Sequence, residues 1–232
     1  MDLCGRPMLA QQLRRISHCN RIDAIVIATT MNVTDDPVVE LARREGVASF
    51  RGSETDVLSR FLGAARQEKA EIVIRLTADC PLIDAELLDR VTGELEASPG
   101  AVDYCSNVLE RSYPRGLDAE AFLINALERC DRLGTTPGTR EHVTTVIRQQ
   151  NPELFRTVSI KDTTDNSDLR WTVDTQADLD FVRKVYDELG LGDQYRGYRE
   201  IVAYVRAHPE LIAMNAGVET WDPLKRRQGD TT

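Results

Sequence analysis

The chain has 232 residues, of which 41% are hydrophobic and 29% charged, and this is enough to bury one substantial α/β core. Its formal net charge of −9 argues against a nucleic acid polymer as a partner, because binding many phosphates requires a basic face. Its five cysteines contain no C-x-x-C pair and no apolar run reaches the length of a membrane span, so we expect a soluble, cytoplasmic protein without a disulfide framework.

Short apolar runs alternate with segments of helical periodicity along the chain. This alternation predicts an α/β protein with a mostly parallel sheet flanked by helices. The predicted strands lie at residues 24–28, 47–50, 72–76, 102–106, 155–160 and 169–173, with a turn and a further strand within 113–122. The strand at 72–76 is expected to be buried and central, because nearly every residue in it is apolar.

Helices are predicted between these strands from capping residues and apolar stripes. They begin at or near Pro7, Asp35 or Asp36, Glu54, Asp84, Ile124, Thr139 and Thr175. Gly46 is expected to end the helix after Asp35, and Asp178 to complete a capping box with Thr175. We therefore expect one domain over residues 1–192, followed over 193–232 by a helical extension and a frayed charged tail at Lys225.

Two aspartates follow predicted strands without being needed as helix caps. Asp79 comes after the strand at 72–76, where Asp84 can cap the next helix, and Asp174 ends the last strand, where Thr175 can do so. In an open α/β sheet, ligands bind at the carboxyl ends of the strands. Since Mg²⁺ takes one or two protein carboxylates plus substrate phosphates, the pair predicts a magnesium site.

Five segments, in their order along the chain, resemble the cytidylyltransferases of the spore coat polysaccharide biosynthesis protein F family, which are similar to CMP-KDO and CMP-sialic acid synthetases. These segments are Cys4-Gly5-Arg6-Pro7-Met8-Leu9, Ala28-Thr29-Thr30, Phe50-Arg51-Gly52-Ser53 with Asp56-Val57-Leu58, Thr77-Ala78-Asp79-Cys80-Pro81-Leu82-Ile83-Asp84 and Trp171-Thr172-Val173-Asp174-Thr175. Their combination is far more specific than any one of them. The resemblance implies a Rossmann-like fold of the nucleotide-diphospho-sugar transferase type.

The resemblance also implies roles for individual residues. Asp79 and Asp174 would hold Mg²⁺ on the α-phosphate of a nucleoside triphosphate, with Arg75 as a helper in catalysis. The residues implied near the nucleotide are Thr29, Thr30, Arg51, Ser53 and Asp56. Those implied on the sugar side are Asn107, Gly116, Asp118, Glu120 and Arg140.

Structural roles compete with several of these assignments. Thr29 and Thr30 can simply end a strand, and Arg75 can equally form an inward ion pair. Asp118 and Glu120, two residues apart on a strand, are expected to face one side. Arg140 suits a sugar carboxylate or phosphate, because a planar guanidinium binds such groups through two donors.

Members of the resembled family begin with a strand and a phosphate-binding loop ahead of the segment that matches residues 3–9, so the first strand is expected to be missing from residues 1–192. Such a loop supplies backbone N–H groups and basic side chains to the β- and γ-phosphates. Without the strand, the sheet would show an unpaired edge or a gap. Two alternatives stay open: Met1 is an internal methionine of a longer reading frame, or the chain is truncated and has reduced or no activity.

The predicted activity is a transfer of CMP from CTP to a sugar, with release of pyrophosphate, for polysaccharide or glycan biosynthesis. The expected partners are therefore Mg²⁺, CTP and a small sugar, and the resemblance favours a homodimer. Two other functions stay open. One is a catalytically impaired or non-catalytic protein of the nucleotide-sugar transferase fold that acts by association, and the other is a metal-dependent glycosyltransferase, for which Asp178-Leu179-Asp180 is the nearest D-x-D segment.

Overall fold

The computed structural model of the protein describes residues 1–218, and the predicted charged tail at Lys225 lies outside them. The strands are β1 (Asp2–Leu3), β2 (Arg6–Pro7), β3 (Val26–Thr30), β4 (Ala48–Gly52), β5 (Ile72–Arg75), β6 (Tyr104–Ser106), β7 (Glu120–Leu123) and β8 (Thr157–Ser159). The α-helices are α1 (Met8–Ile16), α2 (Asp36–Glu45), α3 (Val57–Gln67), α4 (Ala85–Ala97), α5 (Ile124–Leu133), α6 (Pro137–Glu141), α7 (Gln176–Leu189), α8 (Tyr198–Ala207) and α9 (Pro209–Ala213).

The sheet confirms the predicted α/β class, but its strands are of mixed direction. β3 and β4 pair in parallel, whereas the larger sheet has the order β5-β7-β6-β8 and contains both kinds of pairing. β7 runs antiparallel to β5 and β6, while β6 and β8 are parallel. The expectation of a mostly parallel sheet is therefore wrong for this part, because the long excursion between β6 and β7 returns the chain in the opposite direction.

The end strands of these two sheets, β3, β4, β5 and β8, each pair on one edge only among residues 1–218. β3 pairs with β4 alone and β5 with β7 alone, so the two sheets are not joined by hydrogen bonds. Every residue of β5 is only partly buried, and so are all residues of β3 except Thr29. The prediction of a buried, central strand at 72–76 is thus wrong, since β5 lies at the edge of its sheet.

Most of the predicted helices are confirmed by their caps. Gly46 ends α2 in the left-handed conformation, with φ of 70°. Asp56 caps α3 and Asp84 caps α4, each by accepting a backbone N–H of the first turn. Thr175 and Asp178 form the predicted capping box at the start of α7. Local sequence therefore determines where these helices begin and end.

Two predicted elements are replaced by irregular structure. Residues 169–173 form a single bridge, between Arg115 and Arg170, because their other hydrogen bonds go to loops. The helix predicted from Thr139 to Gln149 divides into α6 and a π-helical turn at Val146–Gln150. Between them Val143 has φ of 40°, a conformation that a β-branched side chain rarely adopts.

The helical extension after residue 192 packs into the same core as the sheet. Tyr198, Ile201 and Val205 of α8 are buried together with Leu82 and Leu88. Asp84 accepts hydrogen bonds from the backbone N–H groups of Leu87, at 3.0 Å, and Tyr198, at 2.7 Å. One carboxylate thus caps both α4 and α8, which ties the extension to the sheet. Among the described residues no helix is long and apolar enough to cross a membrane.

The unpaired edge of β3 predicts an alternating pattern of amide hydrogen exchange in this 232-residue chain. Successive N–H groups of a strand point to opposite edges, so only alternate amides of Val26–Thr30 can bond to β4. We expect the remaining amides to exchange much faster, as measured by NMR, whereas amides of β7, which has a partner on both edges, are protected uniformly. Uniform protection throughout β3 would contradict the unpaired edge.

Candidate active site

Asp79 lies just beyond the carboxyl end of β5, and three side chains orient its carboxylate. Oδ1 accepts a short hydrogen bond from the Thr77 hydroxyl and a 3.4 Å contact from the Cys80 thiol. Oδ2 accepts the hydroxyl of Thr172 at 3.1 Å. Because these donors come from both sides of the carboxylate, they hold it in one orientation while it stays only partly buried.

Asp174 is brought to the same edge by a backbone hydrogen bond. The N–H of Val173 donates to the carbonyl oxygen of Asp79 at 2.8 Å, so the next residue along the chain is a neighbour of the Asp79 loop. The Asp174 side chain is 53% exposed, and its Oδ2 accepts a 2.6 Å ion-pair hydrogen bond from Arg170. As predicted, neither aspartate caps a helix, since Asp84 and Thr175 perform that role.

The two aspartates have the chemistry that Mg²⁺ requires. Among residues 1–218 no group of three or more histidine, cysteine, aspartate or glutamate side chains is arranged to hold a metal ion. A structural zinc site needs about four such ligands, whereas Mg²⁺ is held by one or two carboxylates and completes its shell with water and phosphate oxygens. The pair therefore fits magnesium that arrives with a nucleotide.

Gly116 packs the predicted sugar-side segment against the strand-like residues that precede Asp174. Its φ is 103°, and a Cβ atom at this position would lie 2.4 Å from the backbone nitrogen of Thr172. On either side of this contact the Arg115 N–H donates to Leu169, and the Trp171 N–H donates back to Arg115 at 2.6 Å. A side chain at residue 116 would push these two segments apart.

Asp118 and Glu120 do not share one role. Asp118 lies before β7 and forms a two-point ion pair with Arg111, at 2.6 and 2.8 Å. Glu120 is the first residue of β7, is 2% exposed and pairs with Arg75. The expectation that both lie on one strand is wrong, because β7 begins two residues after Asp118.

Asp118 nevertheless acts electrostatically on Cys80, the residue that follows Asp79. Burial raises the pKa of the Cys80 thiol, and the negative charges of Asp79 and then Asp118 raise it further. The Asp79 carboxylate lies 3.4 Å from this sulfur, whereas Asp118 acts on it through its charge. Of the sugar-side residues, Gly116 packs directly against the segment that leads to Asp174.

The predicted nucleotide-binding threonines are held by a carboxylate that the sequence did not single out as a binding residue. Asp35 Oδ2 accepts the hydroxyls of Thr29, at 2.7 Å, and Thr30, at 2.6 Å, as well as the Thr30 N–H. Asp35 precedes α2 without capping it through its side chain. The sequence signal for this contact was a pair of threonines followed by an aspartate at the start of a helix. An aspartate in that position is equally typical of a helix N-cap.

Arg51 organises the loop that follows β3. Its Nε donates to the carbonyl oxygen of Thr30 at 2.8 Å, one terminal nitrogen donates to the carbonyl of Asn32 at 2.7 Å, and the other pairs with Asp36 at 2.7 Å. All three nitrogens of this guanidinium are thus bound within the protein. The nucleotide role of Arg51 stays a prediction, and its observed contacts shape the loop.

Two residues predicted for different substrates bind each other instead. Arg140 donates to both carboxylate oxygens of Asp56, at 2.8 and 2.6 Å, and its third nitrogen pairs with Asp131. Asp56 also caps α3, and its own N–H donates to the Ser53 hydroxyl at 3.0 Å. These hydrogen bonds and ion pairs connect α6 to the start of α3.

Asn107 and Glu120 are enclosed in the protein. The Asn107 side chain donates to the Leu117 carbonyl and accepts the Ala119 N–H, so it braces the chain between β6 and β7. Glu120 receives the hydroxyls of Tyr104 and Thr144 at 2.6 and 2.7 Å. Neither residue has the exposure expected of a direct sugar contact.

Thr144 and Arg148 reach Glu120 from the irregular segment after α6, and neither was predicted as a site residue. Arg148 lies 3.6 Å from the Glu120 carboxylate. From a continuous helix over residues 139–149, we would not have expected these two side chains to approach Glu120. The turn at Val143 and the π-helix direct both side chains toward the sheet, and no local sequence signal marks such a break.

The cytidylyltransferase family model matches residues 1–203, and the chain belongs to this family. This confirms the resemblance seen in the five sequence segments. An uncharacterized protein of Methanocaldococcus jannaschii is 30% identical over 94% of this chain and 87% of its own length. The spore coat polysaccharide biosynthesis protein SpsF of Bacillus subtilis is 32% identical over 72% of this chain and 69% of its own length.

A solved structure supports the same family and the Rossmann-like fold. The cytidylyltransferase from Leptospira borgpetersenii serovar Hardjo-bovis matches with a TM-score of 0.87 and 27% sequence identity. The match covers 96% of this chain and 91% of that structure. The chain is therefore a nucleotidyltransferase of the cytidylyltransferase type in both sequence and fold.

Substituting Gly116 tests the close packing beside Thr172. We expect Gly116→Ala to lower the free energy of unfolding by about 2 kcal/mol or more, because the new methyl group meets backbone atoms and the φ of 103° disfavours alanine. Gly138→Ala is the matched control, since a Cβ there meets nothing within 4 Å, and it should change stability by less than about 1 kcal/mol. Urea unfolding at equilibrium measures both, and equal stabilities would refute the packing.

Asp35 provides a prediction in the acid range. Hydrogen bonds from the side chains of Thr30 and Thr29 lower the pKa of Asp35 from 3.8 to about 2. Since the folded value is the lower one, the stabilisation by Asp35 is complete above about pH 4 and is lost as the pH falls toward 2. Carboxyl-carbon NMR titration should show this pKa, and Thr30→Val should return it toward 3.8. A wild-type value near 3.8 would contradict the observed hydrogen bonds.

Proposed function

We propose that the protein transfers CMP from CTP to a hydroxyl group of a sugar, with release of pyrophosphate, and that Asp79 and Asp174 hold Mg²⁺ for this reaction. The observation that carries this proposal is the oriented Asp79 carboxylate, joined through the hydrogen bond from Val173 to the segment that bears Asp174. Membership of the cytidylyltransferase family supports the choice of nucleotide. The SpsF relative supports a role in polysaccharide biosynthesis.

In this reaction the oxygen of a sugar hydroxyl forms a bond to the α-phosphorus of CTP and gives up its proton to solvent. The bond between the α-phosphorus and the oxygen that bridges it to the β-phosphate breaks, and pyrophosphate leaves. Phosphoryl chemistry of this kind depends mainly on positioning and on stabilising negative charge. Bound Mg²⁺ would neutralise charge on the phosphate oxygens. The protein itself contributes by holding the Asp79 carboxylate through Thr77, Cys80 and Thr172. No side-chain reorganisation is then needed when the nucleotide binds.

Arg170 has a defined task beside Asp174. It pairs with Asp174 through one terminal nitrogen and with the buried Asp178 through Nε and the same nitrogen, at 2.8 and 3.1 Å. Its side chain is 10% exposed, so it is a fixed cation close to the proposed metal site. It aims the exposed carboxylate of Asp174 and leaves Oδ1 for the metal.

The glycosyltransferase alternative loses support from the environment of its D-x-D segment. Asp178 is fully buried and bound to Arg170 and Thr175 within α7, while Asp180 is exposed. Two carboxylates in such different environments do not form one metal site. The non-catalytic alternative predicts no heat when CTP and Mg²⁺ are titrated into the protein at high concentration.

We expect the protein to act in the cytoplasm, where CTP is made, and as a homodimer, as the family resemblance favours. Light scattering coupled to size-exclusion chromatography measures the second expectation, and a monomer at all concentrations would contradict it.

Substitution of Asp79 tests the metal assignment through two measurements. We expect Asp79→Ala to lower kcat/KM for pyrophosphate release by about 10² or more, because charge stabilisation in the transition state is lost. In isothermal titration, the dependence of CTP binding on Mg²⁺ should disappear with it. Asp180→Ala, which removes an exposed carboxylate of α7, is the control and should leave both unchanged. If Asp79→Ala retains turnover and magnesium-dependent binding, the assignment is wrong.

A further inference from the structure

The segment that bears Asp174 is held by the turn that follows α9. Asn215 lies in this turn and is 5% exposed. Its side-chain amide donates to the carbonyl oxygen of Arg170 at 2.9 Å and to Oδ1 of Asp178 at 3.0 Å. An asparagine amide has two N–H donors, so both are used here. This side chain therefore connects the end of the extension with residues on either side of Asp174.

Asp178 is the anion at which these contacts meet. It is fully buried in the first turn of α7. Its Oδ1 accepts Nε of Arg170 at 2.8 Å as well as the Asn215 amide, and its Oδ2 accepts the N–H groups of Asp174 and Thr175 at 3.2 and 3.0 Å. A donor removed from a buried carboxylate is costly, because no water replaces it. Without Asn215, we expect the Asp178 carboxylate to shift toward its remaining donors.

Arg170 connects this buried anion to the exposed carboxylate of Asp174. Its guanidinium binds Asp178 through Nε and Nη2, at 2.8 and 3.1 Å, and the same Nη2 donates to Oδ2 of Asp174 at 2.6 Å. The Arg170 side chain is 10% exposed, whereas that of Asp174 is 53% exposed. Because a charged hydrogen bond of this kind has a preferred geometry, the fixed guanidinium directs the more mobile carboxylate.

The extension is itself fixed, so it can support Asn215. Arg206 of α8 forms a two-point ion pair with Asp168, at 2.7 and 2.6 Å, and donates to the Asn166 side chain at 2.9 Å. Leu211 of α9 is fully buried in the core cluster that contains Phe181 of α7. The extension thus contacts the segment before Asp174 at more than one point.

We propose that Asn215 is a positioning residue for the reaction and fixes the direction of the Asp174 carboxylate. It acts through two neighbours, Asp178 and Arg170. This inference rests on the proposed function, because it takes Asp174 as a ligand of Mg²⁺, and it makes the extension after residue 192 a part of the active site. Removal of a group that orients a metal ligand typically costs about 10- to 100-fold in metal affinity or activity.

Hydrogen exchange in the protein without nucleotide or metal tests the contact between Asn215 and the buried anion. We follow the Nε–H of Arg170 by NMR, because it donates to Asp178. Asn215→Ala should speed its exchange with water by about tenfold, as expected when a buried carboxylate loses one hydrogen bond. Tyr204→Phe is the matched control, since it removes a 3.0 Å hydrogen bond between α8 and Glu188 of α7. Exchange in this control should equal that in the wild type.

Binding of CTP at a series of Mg²⁺ concentrations tests the effect on Asp174. Isothermal titration gives the Mg²⁺ concentration that produces half of the gain in CTP affinity. We expect this concentration to rise by about tenfold in Asn215→Ala and to stay unchanged in Tyr204→Phe. A purely structural role would lower the folded fraction, which thermal unfolding measures, without changing the Mg²⁺ requirement. Asn215→Leu removes the amide at similar size and replaces the alanine variant if that variant does not fold.

Two results would overturn the positioning role. One is Arg170 Nε–H exchange at the wild-type rate in the folded Asn215 variant, and the other is an unchanged Mg²⁺ requirement in that variant. Failure of the proposed function would be seen separately, as magnesium-dependent CTP binding that survives Asp79→Ala or as wild-type CTP binding that needs no Mg²⁺. An intact Asp79 effect with an unchanged Asn215 variant would therefore refute the positioning role alone.

Discussion

The arrangement of the site depends on how closely the segment before Asp174 approaches the Asp79 loop. The hydrogen bond from the Val173 N–H to the Asp79 carbonyl sets the spacing of the two segments, and the Thr172 hydroxyl reaches the Asp79 carboxylate from the same side. Gly116 makes this possible, because a larger residue would collide with the backbone at Thr172. Three distant parts of the chain thus meet at one point. The Asp79 and Asp174 carboxylates gain their relative position from backbone contacts, which are stiffer than contacts between long side chains.

The charged residues around this point are of two kinds. Some are bound within the protein, and others can still bind a ligand. Arg51, Arg140 and Asp35 are bound by the protein itself, and they shape the loops after β3 and β4. Asp174 is exposed and Arg75 keeps unpaired donors among residues 1–218, so they stay able to meet a ligand. A buried charge is tolerated only with partners, whereas a partly exposed charge can exchange water for substrate.

The site lies on two sheets, and no hydrogen bonds join these sheets within residues 1–218. β3 and β4 present the Thr29 and Arg51 side, whereas β5 and β7 present the Asp79 and Glu120 side. Helices cover both parts, and α8 is tied to α4 through the shared cap at Asp84. The extension after residue 192 therefore contributes to the core that supports the Asp79 loop. The family membership and the fold agree with this arrangement at the level of the whole chain.

Local sequence determined the α/β class, the helix caps at Asp84 and Thr175, and the family, because capping and apolar periodicity depend on residues close together in the chain. It also singled out Asp79 and Asp174 as the aspartates left without a cap to fill. Only the tertiary structure decided which charged groups are already satisfied, since the pairing of Arg140 with Asp56 joins residues far apart in sequence. The antiparallel course of β7 and the break at Val143 were likewise beyond local patterns, because each depends on packing against strands formed elsewhere in the chain.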